Sequence, residues 1–196
     1  MARPREFDER VVLDAAMECF WERGYSATSM RDLIDRTGLT SASLYNAFGD
    51  KRAFFQTALD HFVVQTIDER IARCETMTPR EALTVFFEEV VARSLGDRQH
   101  KGCMLVNSAL EVAPHDAGIQ RDVATVLHRI ERFFLDAIRA GQDDGSISTA
   151  FAAQDLASHL LGVLMGLRVL SRVRPEATSL RALVTLALAL LDVPEH

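Results

Sequence analysis

The sequence predicts an all-α protein of about nine helices. Apolar residues recur three and four positions apart through most of the chain, and runs that alternate between apolar and polar residues are nearly absent. Glycine and proline, with 10 and 5 residues, are too sparse for a disordered chain. At 196 residues the chain can bury a sizeable core. We expect residues 1–50 to form a three-helix domain and residues 51–196 a larger antiparallel helical bundle.

The stretch from Ser26 to Lys51 predicts two short helices joined by a tight turn. Ser29 and Asp32 are three residues apart, which is the spacing of a capping box at a helix start. Gly38 then supplies the backbone freedom that a sharp corner between two helices requires. An earlier helix over residues 8–23 precedes this pair, so the N-terminal domain is expected to hold three helices.

The second helix of the pair, over residues 41–48, predicts a surface that can enter a DNA groove. Thr40 can cap it, and Leu44 and Phe48 lie four residues apart on its apolar face. Short polar side chains stand on the opposite face: Ser41, Ser43 and Asn46. This arrangement is typical of a helix-turn-helix whose second helix, the recognition helix, lies in the major groove.

The same segment resembles the DNA-binding domain of the TetR family of repressors. The resemblance is carried by FWERGY, with Phe20, Gly24 and Tyr25, and then by TSMRDL, GLT and LYNAFGDK. These stretches cover about a quarter of the chain and are specific in combination. The resemblance implies the nine-helix architecture of that family and a transcriptional repressor that binds double-stranded DNA.

The resemblance also assigns DNA contacts residue by residue. In the first motif helix and the first turn of the recognition helix the matching positions are Thr28, Ser29, Arg31, Thr40, Ser41, Ala42 and Ser43. Tyr45 and Lys51 match positions that contact phosphate. Asn46 and Ala47 depart from the family, where histidine or an aromatic residue is common. Asn46 can contact adenine through two hydrogen bonds, whereas Ala47 loses a phosphate contact.

A long helix over residues 51–75 is predicted to connect the DNA-binding domain to the bundle. Asp50 can cap it, and its apolar stripe is too wide to face water. Its start holds the recognition helix and its remainder enters the bundle. The helix is therefore the natural lever between the two domains.

Five more helices are predicted in the bundle. Thr78, Pro79 and Glu81 combine a cap, a first-position proline and a box glutamate at the start of a helix that reaches Leu95. The other four span about residues 103–112, 116–140, 149–174 and 178–191, and Gly141 is expected to stop the helix that starts at residue 116.

The last two predicted helices favour a two-fold dimer that would bind a palindromic operator. The segment LRALVTLALALL is apolar around most of its circumference, and such a helix must be covered on both sides. Gly162 and Gly166 are four residues apart and would let another helix approach closely. We expect a homodimer interface that includes Gly162, Gly166, Leu183 and Leu190. Packing inside one subunit is the alternative.

The short helix over residues 103–112 predicts part of an effector pocket. Cys103, Asn107 and Glu111 are spaced four and four, and polar groups in line inside a bundle need partners or a ligand. Cys103 would stand at the helix N-terminus, where aligned amides favour an anionic sulfur. We expect it to be the most reactive of the three thiols and a sensor of electrophiles or oxidants. A small packing residue is the alternative.

The expected effector is a hydrophobic or aromatic small molecule, because the candidate pocket walls are mostly apolar. Each of these residues, taken alone, is also typical of plain core. The predicted pocket residues are Phe62, Phe86, Cys103, Met104, Asn107, Phe134 and Met165.

Charge and composition exclude several other classes of protein. With 22 basic and 28 acidic residues the chain has a net charge of −6, so local positive charge must hold the DNA. No uncharged apolar stretch reaches the ~18 residues of a membrane span, and the N-terminus lacks a signal-peptide core. Three cysteines at unrelated spacings fit a reducing compartment. We expect a cytoplasmic protein without membrane contact.

The sequence carries no motif for catalysis or cofactor binding. A phosphate-binding glycine loop, GxSxG, HExxH and paired zinc cysteines are all missing. We therefore expect no catalytic residue, no cofactor and no metal. Two alternatives stay open: an enzyme or metal site that uses Cys103 with His100 or His115, and a DNA-binding dimer controlled by a protein partner without a small effector.

Overall fold

The computed structural model describes residues 7–193, and all regular structure in that range is helical. Counting the continuous helix from Lys51 to Cys74 once, the described range has nine helices, which confirms the predicted fold class. A π-helical turn, Val64–Asp68, joins two parts of that helix. The helices are α1 (Glu9–Arg23), α2 (Met30–Thr37), α3 (Ser41–Phe48), α4 (Lys51–Val63), α5 (Glu69–Cys74), α6 (Pro79–Gly96), α7 (Met104–Glu111), α8 (Ala117–Asp144), α9 (Ala153–Val173) and α10 (Ala177–Ala189).

Aromatic side chains fix the N-terminal helices against α4. The ring of Phe20 meets the ring of Phe55 edge-on, with centroids 5.1 Å apart. The ring of Phe48 stacks on that of Phe54 at 4.4 Å. Each such pair adds about 0.5–1.5 kcal/mol beyond the burial of its surface. The end of α3 is therefore anchored on the first turn of α4.

The buried apolar residues form one continuous cluster that runs from α1 to α10. No gap in this core separates residues 7–50 from the rest of the described chain. The division of the chain at residues 50 and 51 rests on topology, because α1 and α3 pack on α4, the first half of the long helix, and α2 packs on α1. It stays a prediction.

The π-helical turn lies in the middle of the predicted lever helix. Thr66 is buried within it, and its hydroxyl donates a hydrogen bond to the carbonyl oxygen of Phe62 at 2.6 Å. Such turns insert one extra residue and are frequent at functional sites. The sequence pattern did not predict it, because one inserted residue hardly disturbs the spacing of apolar positions.

The predicted end of α8 at Ala140 is wrong. The helix passes through Gly141 to Asp144 and ends at Gly145, which has a left-handed φ of 80°. Gly141 instead lets the returning chain come close: Ile147 donates its backbone N–H to the Gly141 carbonyl oxygen at 2.8 Å. A Cβ on Gly141 would lie 2.5 Å from the Ile147 side chain. Gly141 therefore allows the returning chain to pack closely against α8, and the helix ends four residues later, at Gly145.

Two predicted helix starts also differ from the structure. Thr78 precedes α6 and Pro79 opens it, as predicted, but the Thr78 hydroxyl turns to the Glu81 carboxylate at 3.3 Å and caps no backbone amide. α9 begins at Ala153, later than predicted, because the residues before it form turns.

The outer side of α9 and α10 leaves apolar residues uncovered. α9 packs against α8 and α10, yet Val173 and Leu186 remain 74% and 71% exposed. A Cβ on Gly162 or Gly166 would meet nothing within 4 Å, so both glycines face open space. By length and composition α9 also resembles a membrane span, but core helices of soluble proteins meet the same criterion.

Candidate nucleic-acid interface and effector cavity

The recognition helix α3 is built as the sequence predicts. The Thr40 hydroxyl accepts a hydrogen bond from the backbone N–H of Ser43 at 3.2 Å and donates one to the Ser43 hydroxyl at 2.9 Å. Leu44 and Phe48 are buried under the helix. The opposite face leaves four of the predicted contact residues exposed: Ser41, Ala42, Tyr45 and Asn46. This face offers hydrogen-bonding groups and one small apolar side chain to a groove.

The first motif helix is stabilised by the predicted capping box. Ser29 accepts from the Asp32 backbone N–H at 3.1 Å, and Asp32 accepts from the Ser29 backbone N–H at 2.8 Å. Asp32 also pairs with Arg23. Hydrogen bonds from Ser29, together with Arg23, lower the pKa of Asp32 from 3.8 to about 2. Arg31 stays exposed beside this box.

Thr28 does not stand on the predicted DNA surface. Its side chain is 1% exposed, and its hydroxyl donates to the Gly24 carbonyl oxygen at 2.7 Å. The residue is buried because it closes the turn between α1 and α2. A DNA contact by the Thr28 side chain is therefore a wrong prediction for this structure.

Lys51, which the resemblance predicts to contact phosphate, lies next to the turn that precedes α2. Its ammonium nitrogen is 4.5 Å from the centroid of the Tyr25 ring and 3.4 Å from the carbonyl oxygen of Ser26. A cation held over an aromatic face gains about 0.5–1 kcal/mol at an exposed site. The positive charge of Lys51 is thus already held beside α3 before any DNA binds.

Glu111 at the end of α7 ties the bundle to the DNA-binding domain. Its carboxylate accepts hydrogen bonds from the backbone N–H groups of Tyr25 at 3.1 Å and Ser26 at 2.7 Å. Burial opposes ionisation, but the hydrogen bonds from Ser26 and Tyr25 outweigh it and lower the pKa of Glu111. The turn before α2 is therefore positioned by a side chain 85 residues away along the chain.

Two ion pairs make further ties, one to α1 and one to the start of α4. Lys101 in the loop before α7 pairs with Glu18 of α1 at 2.5 Å. Arg52 of α4 forms two hydrogen bonds with Asp116, at 2.6 and 2.9 Å, and Asp116 also caps α8. We call residues 97–118, from which all three ties come, the strap. Sequence patterns did not indicate the strap, because each tie joins residues far apart in the chain.

The predicted polar line on α7 is divided between different roles. Cys103 is buried at the start of the helix, and Asn107 donates to the carbonyl oxygen of Lys101 at 2.9 Å. Glu111 faces the DNA-binding domain. Of the three, only Cys103 lines the cavity described next. The amide of Asn107 holds the loop before α7, and its place in an effector pocket stays a prediction.

A small cavity of about 30 Å³ lies between the π-helical turn, α6, α7 and α9. Four predicted pocket residues line it: Phe62, Phe86, Cys103 and Met165. Met104 and Phe134 are fully buried elsewhere in the core and do not line it, so their place in an effector pocket stays a prediction. The volume holds about two water molecules, so a larger ligand requires the walls to move.

Three arginines and no acidic residue line this cavity: Arg70, Arg93 and Arg168. Arg70 pairs with Glu89 at 3.1 Å, and Arg73 shares that carboxylate at 2.7 Å. Burial lowers the pKa of Arg70 against the opposing effect of Glu89. Burial also lowers the pKa of Arg93, and the nearby charge of Arg168 adds to this. The predicted pocket includes no arginine, because the sequence alone does not distinguish an arginine that lines a cavity from one on the surface.

Cys103 differs from the other two cysteines in its surroundings. Burial raises the pKa of the Cys19 and Cys74 thiols, and neither residue lines the cavity. All three cysteines are free. In the part of the chain that the structure describes, no group of three or more His, Cys, Asp or Glu side chains is placed to hold a metal ion.

The capped pair α2–α3, with its exposed polar face on a three-helix unit, defines a helix-turn-helix DNA-binding protein. Two family models match the chain: "Bacterial regulatory proteins, tetR family" over residues 12–58 and "Tetracyclin repressor-like, C-terminal domain" over residues 79–186. The chain belongs to the TetR family of transcriptional regulators. The resemblance stated from the sequence motifs is confirmed.

Relatives and solved structures agree with this assignment. The chain is 30% identical to the uncharacterized HTH-type transcriptional regulator YezE of Bacillus subtilis, over 98% of this chain and all of that protein. It is 28% identical to the HTH-type transcriptional repressor ComR of Escherichia coli, over 94% of this chain and 88% of that one. A cysteine-substituted variant of the regulator CifR, solved with a 26-bp operator DNA, superposes with a TM-score of 0.85 at 31% identity and covers 97% of this chain.

Proposed function

We propose that this regulator is a cytoplasmic repressor that holds a palindromic operator as a homodimer and is released by a small effector. The exposed polar face of α3 supports insertion into the major groove. The uncovered apolar side of α9 and α10, with the open space at Gly162 and Gly166, supports a two-fold partner there. A two-fold dimer would present its recognition helices about 34–36 Å, or a multiple of this, apart.

One observation carries the effector part of this proposal: the cavity touches both the lever helix and the strap. Thr66 and Ile67 of the π-helical turn line one side of it, and Cys103 of the strap lines another. A ligand that enlarges the cavity therefore displaces the two elements that hold the DNA-binding domain. Release follows if the ligand prefers the displaced state, and a tenfold preference corresponds to about 1.4 kcal/mol.

The effector is a small hydrophobic or electrophilic compound. Apolar side chains form most of the cavity wall, which suits a hydrophobic body. Cys103 supplies a nucleophilic sulfur on that wall: it would form a bond to an electrophilic carbon and give up its proton. Limited labelling with a maleimide, followed by mass spectrometry, is expected to modify Cys103 before Cys19 and Cys74. Prior labelling of Cys19 or Cys74 would make Cys103 a packing residue.

A mobility-shift experiment with the DNA upstream of the protein's own coding region tests the repressor. We expect a specific complex that small-molecule extracts dissociate. A chain that binds no DNA segment with preference over random duplex contradicts the proposal at its first step. Equal operator affinity with and without every compound that measurably binds contradicts the effector step.

The alternative is control by a protein partner without a small effector. Leu110 on the strap is 69% exposed, and a docked protein could use this apolar side chain to pull the strap. The small volume of the cavity, about 30 Å³, also favours this alternative. Leu110→Glu distinguishes the two: it abolishes regulation by a docking protein and leaves release by a small molecule unchanged.

A further inference from the structure

Arg168 is a buried cation with only neutral partners. It is 7% exposed, and its guanidinium donates to the Ser94 hydroxyl at 2.8 Å and to the Gly102 carbonyl oxygen at 3.0 Å. Among residues 7–193 it forms no ion pair. Buried charges in proteins are usually paired, because removing an ion from water is costly. The structure thus holds a positive charge that lacks an anion.

Arg93 is an exposed arginine at the edge of the cavity, and it resembles Arg168 in lacking an acidic partner among the described residues. Its guanidinium lies 5.6 Å from the centroid of the Trp21 ring, and it too forms no ion pair in the described part of the chain. Arg93 and Arg168 lie close enough to lower the pKa of Arg93 by charge repulsion, in addition to the effect of burial. An anion between them would relieve that repulsion.

A cleft of about 540 Å³ leads to the two arginines from outside. Arg93 and Arg168 line both this cleft and the small cavity, so they form the wall between them. Arg98 and Lys101 add positive charge to the cleft, against the acidic Glu18 and Asp97. Both acids are engaged: Glu18 pairs with Lys101, and Asp97 accepts from the Gly102 backbone N–H at 3.1 Å. In a chain of net charge −6 this concentration of cations is local.

Trp21 contributes an unused donor to the same cleft. Its side chain is 6% exposed and lines the cleft, and its indole N–H has no acceptor in the described part of the chain. Buried indole N–H groups usually find a partner. A ligand with an acceptor oxygen beside Arg93 would supply one.

We propose that the effector is a small carboxylic acid anion with an apolar body, whose carboxylate pairs with Arg168 and Arg93 while its body enters the cavity. A carboxylate matches the planar guanidinium with two parallel hydrogen bonds. The apolar body fits the wall behind the arginines, which includes Phe62, Phe86 and Leu164. This inference rests on the proposed function, because it names the chemical class of that effector.

The same contacts connect the anion to the DNA-binding domain. A carboxylate on Arg168 competes with the carbonyl oxygen of Gly102, which now holds the strap at 3.0 Å. Lys101 is the neighbour of Gly102 and pairs with Glu18 on α1. Loss of the bond between Arg168 and Gly102 therefore loosens the loop that carries this tie.

Ligand binding is tested first by thermal unfolding of the full chain with benzoate, phenylacetate and hexanoate, each against its uncharged amide. A compound that binds the folded state raises Tm according to its concentration and Kd. We expect at least one acid to bind tenfold or more tightly than its amide. Equal affinities for every acid and amide, or no rise in Tm with any acid at millimolar concentration, would overturn the proposal. So would an equal rise with inorganic phosphate, which would indicate an adventitious anion site only.

Substitutions then assign the preference to the arginines. Arg168→Gln and Arg93→Gln are expected to bring the ratio of amide Kd to acid Kd close to one. Arg93 serves as the second variant because its side chain makes no hydrogen bond to another residue in the range 7–193, so it separates binding from folding. Arg139→Gln is the matched control: this exposed arginine on α8 lines neither cleft nor cavity. A preference that survives in Arg93→Gln overturns the assignment.

Release of DNA separates failure of this inference from failure of the proposed function. If neutral compounds dissociate the operator complex and acids do not, the repressor stands and the carboxylate assignment is wrong. If acids bind with the stated preference but the chain holds no operator, the anion site stands and the repressor is wrong.

Discussion

The carboxylate of Glu111 lies 2.7 Å from the backbone nitrogen of Ser26, although the two residues belong to opposite parts of the molecule. This hydrogen bond fixes the turn before α2, and Lys51 caps the same turn through the Ser26 carbonyl oxygen at 3.4 Å. One short turn is thus held both by the strap and by a candidate phosphate contact. A displacement of α7 therefore reaches the DNA-binding surface directly.

Glu111→Ala is expected to lower the free energy of unfolding by about 1–2 kcal/mol, because two backbone donors lose a charged acceptor. Urea unfolding measures this, and hydrogen exchange at the amides of Tyr25 and Ser26 should become faster. Glu88→Ala, an exposed glutamate on α6, is the control. Unchanged exchange at both amides would show that the tie does not exist in solution.

The capping box at Asp32 predicts a loss of stability in acid. The pKa of Asp32 is lowered from 3.8 to about 2 in the folded protein. The carboxylate therefore stabilises the fold above its unfolded pKa, and this contribution disappears as the pH falls from about 4 towards 2. Asp32→Asn should be less stable than wild type at neutral pH, and the difference should shrink over that range. Asp35→Asn, in the same helix, controls for the loss of one negative charge. A difference that stays constant down to the lowest pH contradicts the linkage.

Substitutions around α3 should separate positioning from base recognition. Lys51→Ala is expected to weaken all operator sequences alike and to reduce the salt dependence by about one charge. Lys51→Arg keeps the charge and serves as its control. Asn46→Ala and Ser43→Ala should instead change base preference, at about 1–3 kcal/mol per good base contact. Competition assays with randomised operators measure both effects, and a base preference unchanged in Asn46→Ala and Ser43→Ala removes α3 from recognition.

Two leucines with similar exposure allow the predicted dimer interface to be tested with a matched control. Leu186 on α10 is 71% exposed and Leu110 on α7 is 69% exposed. Leu186→Glu is expected to shift sedimentation towards monomers and to weaken operator binding, because a charge would be buried in the apolar interface. Leu110→Glu should leave the dimer intact. A wild-type chain that sediments as a monomer at micromolar concentration would exclude the interface altogether.

Two helical glycines should respond oppositely to a methyl group. Gly141→Ala places a Cβ 2.5 Å from Ile147, so we expect a loss of about 1–3 kcal/mol from overpacking. Gly162→Ala meets nothing within 4 Å in one subunit, so the better helix propensity of alanine should stabilise the monomer at low protein concentration. At high concentration this gain should be reduced, because the methyl group would obstruct the close approach of the partner helix in the proposed dimer. Thermal unfolding at two protein concentrations checks both. A stabilised Gly141→Ala would mean that the chain around Ile147 yields without cost.

The local features of the DNA-binding domain could be predicted from sequence because they depend on near neighbours. The box of Ser29 and Asp32 and the cap at Thr40 join residues three apart, and the structure contains both as predicted. Thr28 is the exception: its burial depends on how α1 meets α2, which the spacing of residues does not encode.

The cavity and the strap could not be predicted in the same way. Arg168 lies in a mostly apolar stretch of sequence, which gives no sign of a charged cavity wall. Glu111 has the spacing of a polar line along α7, which gives no sign of a contact with the DNA-binding domain. Their partners, Gly102 and Ser26, lie 66 and 85 residues away. Only the packing of the helices brings these groups together, so the apolar walls were partly predicted and the charged ones were missed.

The π-helical turn Val64–Asp68 contains one residue more than a regular α-helix would have at this point of the lever helix. Each residue of an α-helix accounts for about 100° of rotation and 1.5 Å of length. If the π-helical turn became regular α-helix, α4 would have to rotate relative to α5 by about that angle. Deletion of one residue between positions 64 and 68 would remove the extra residue. The side chains on either side of the turn would then keep their present orientation relative to each other. A single-residue deletion should thus be tolerated at this point of the helix and disruptive one turn away on either side.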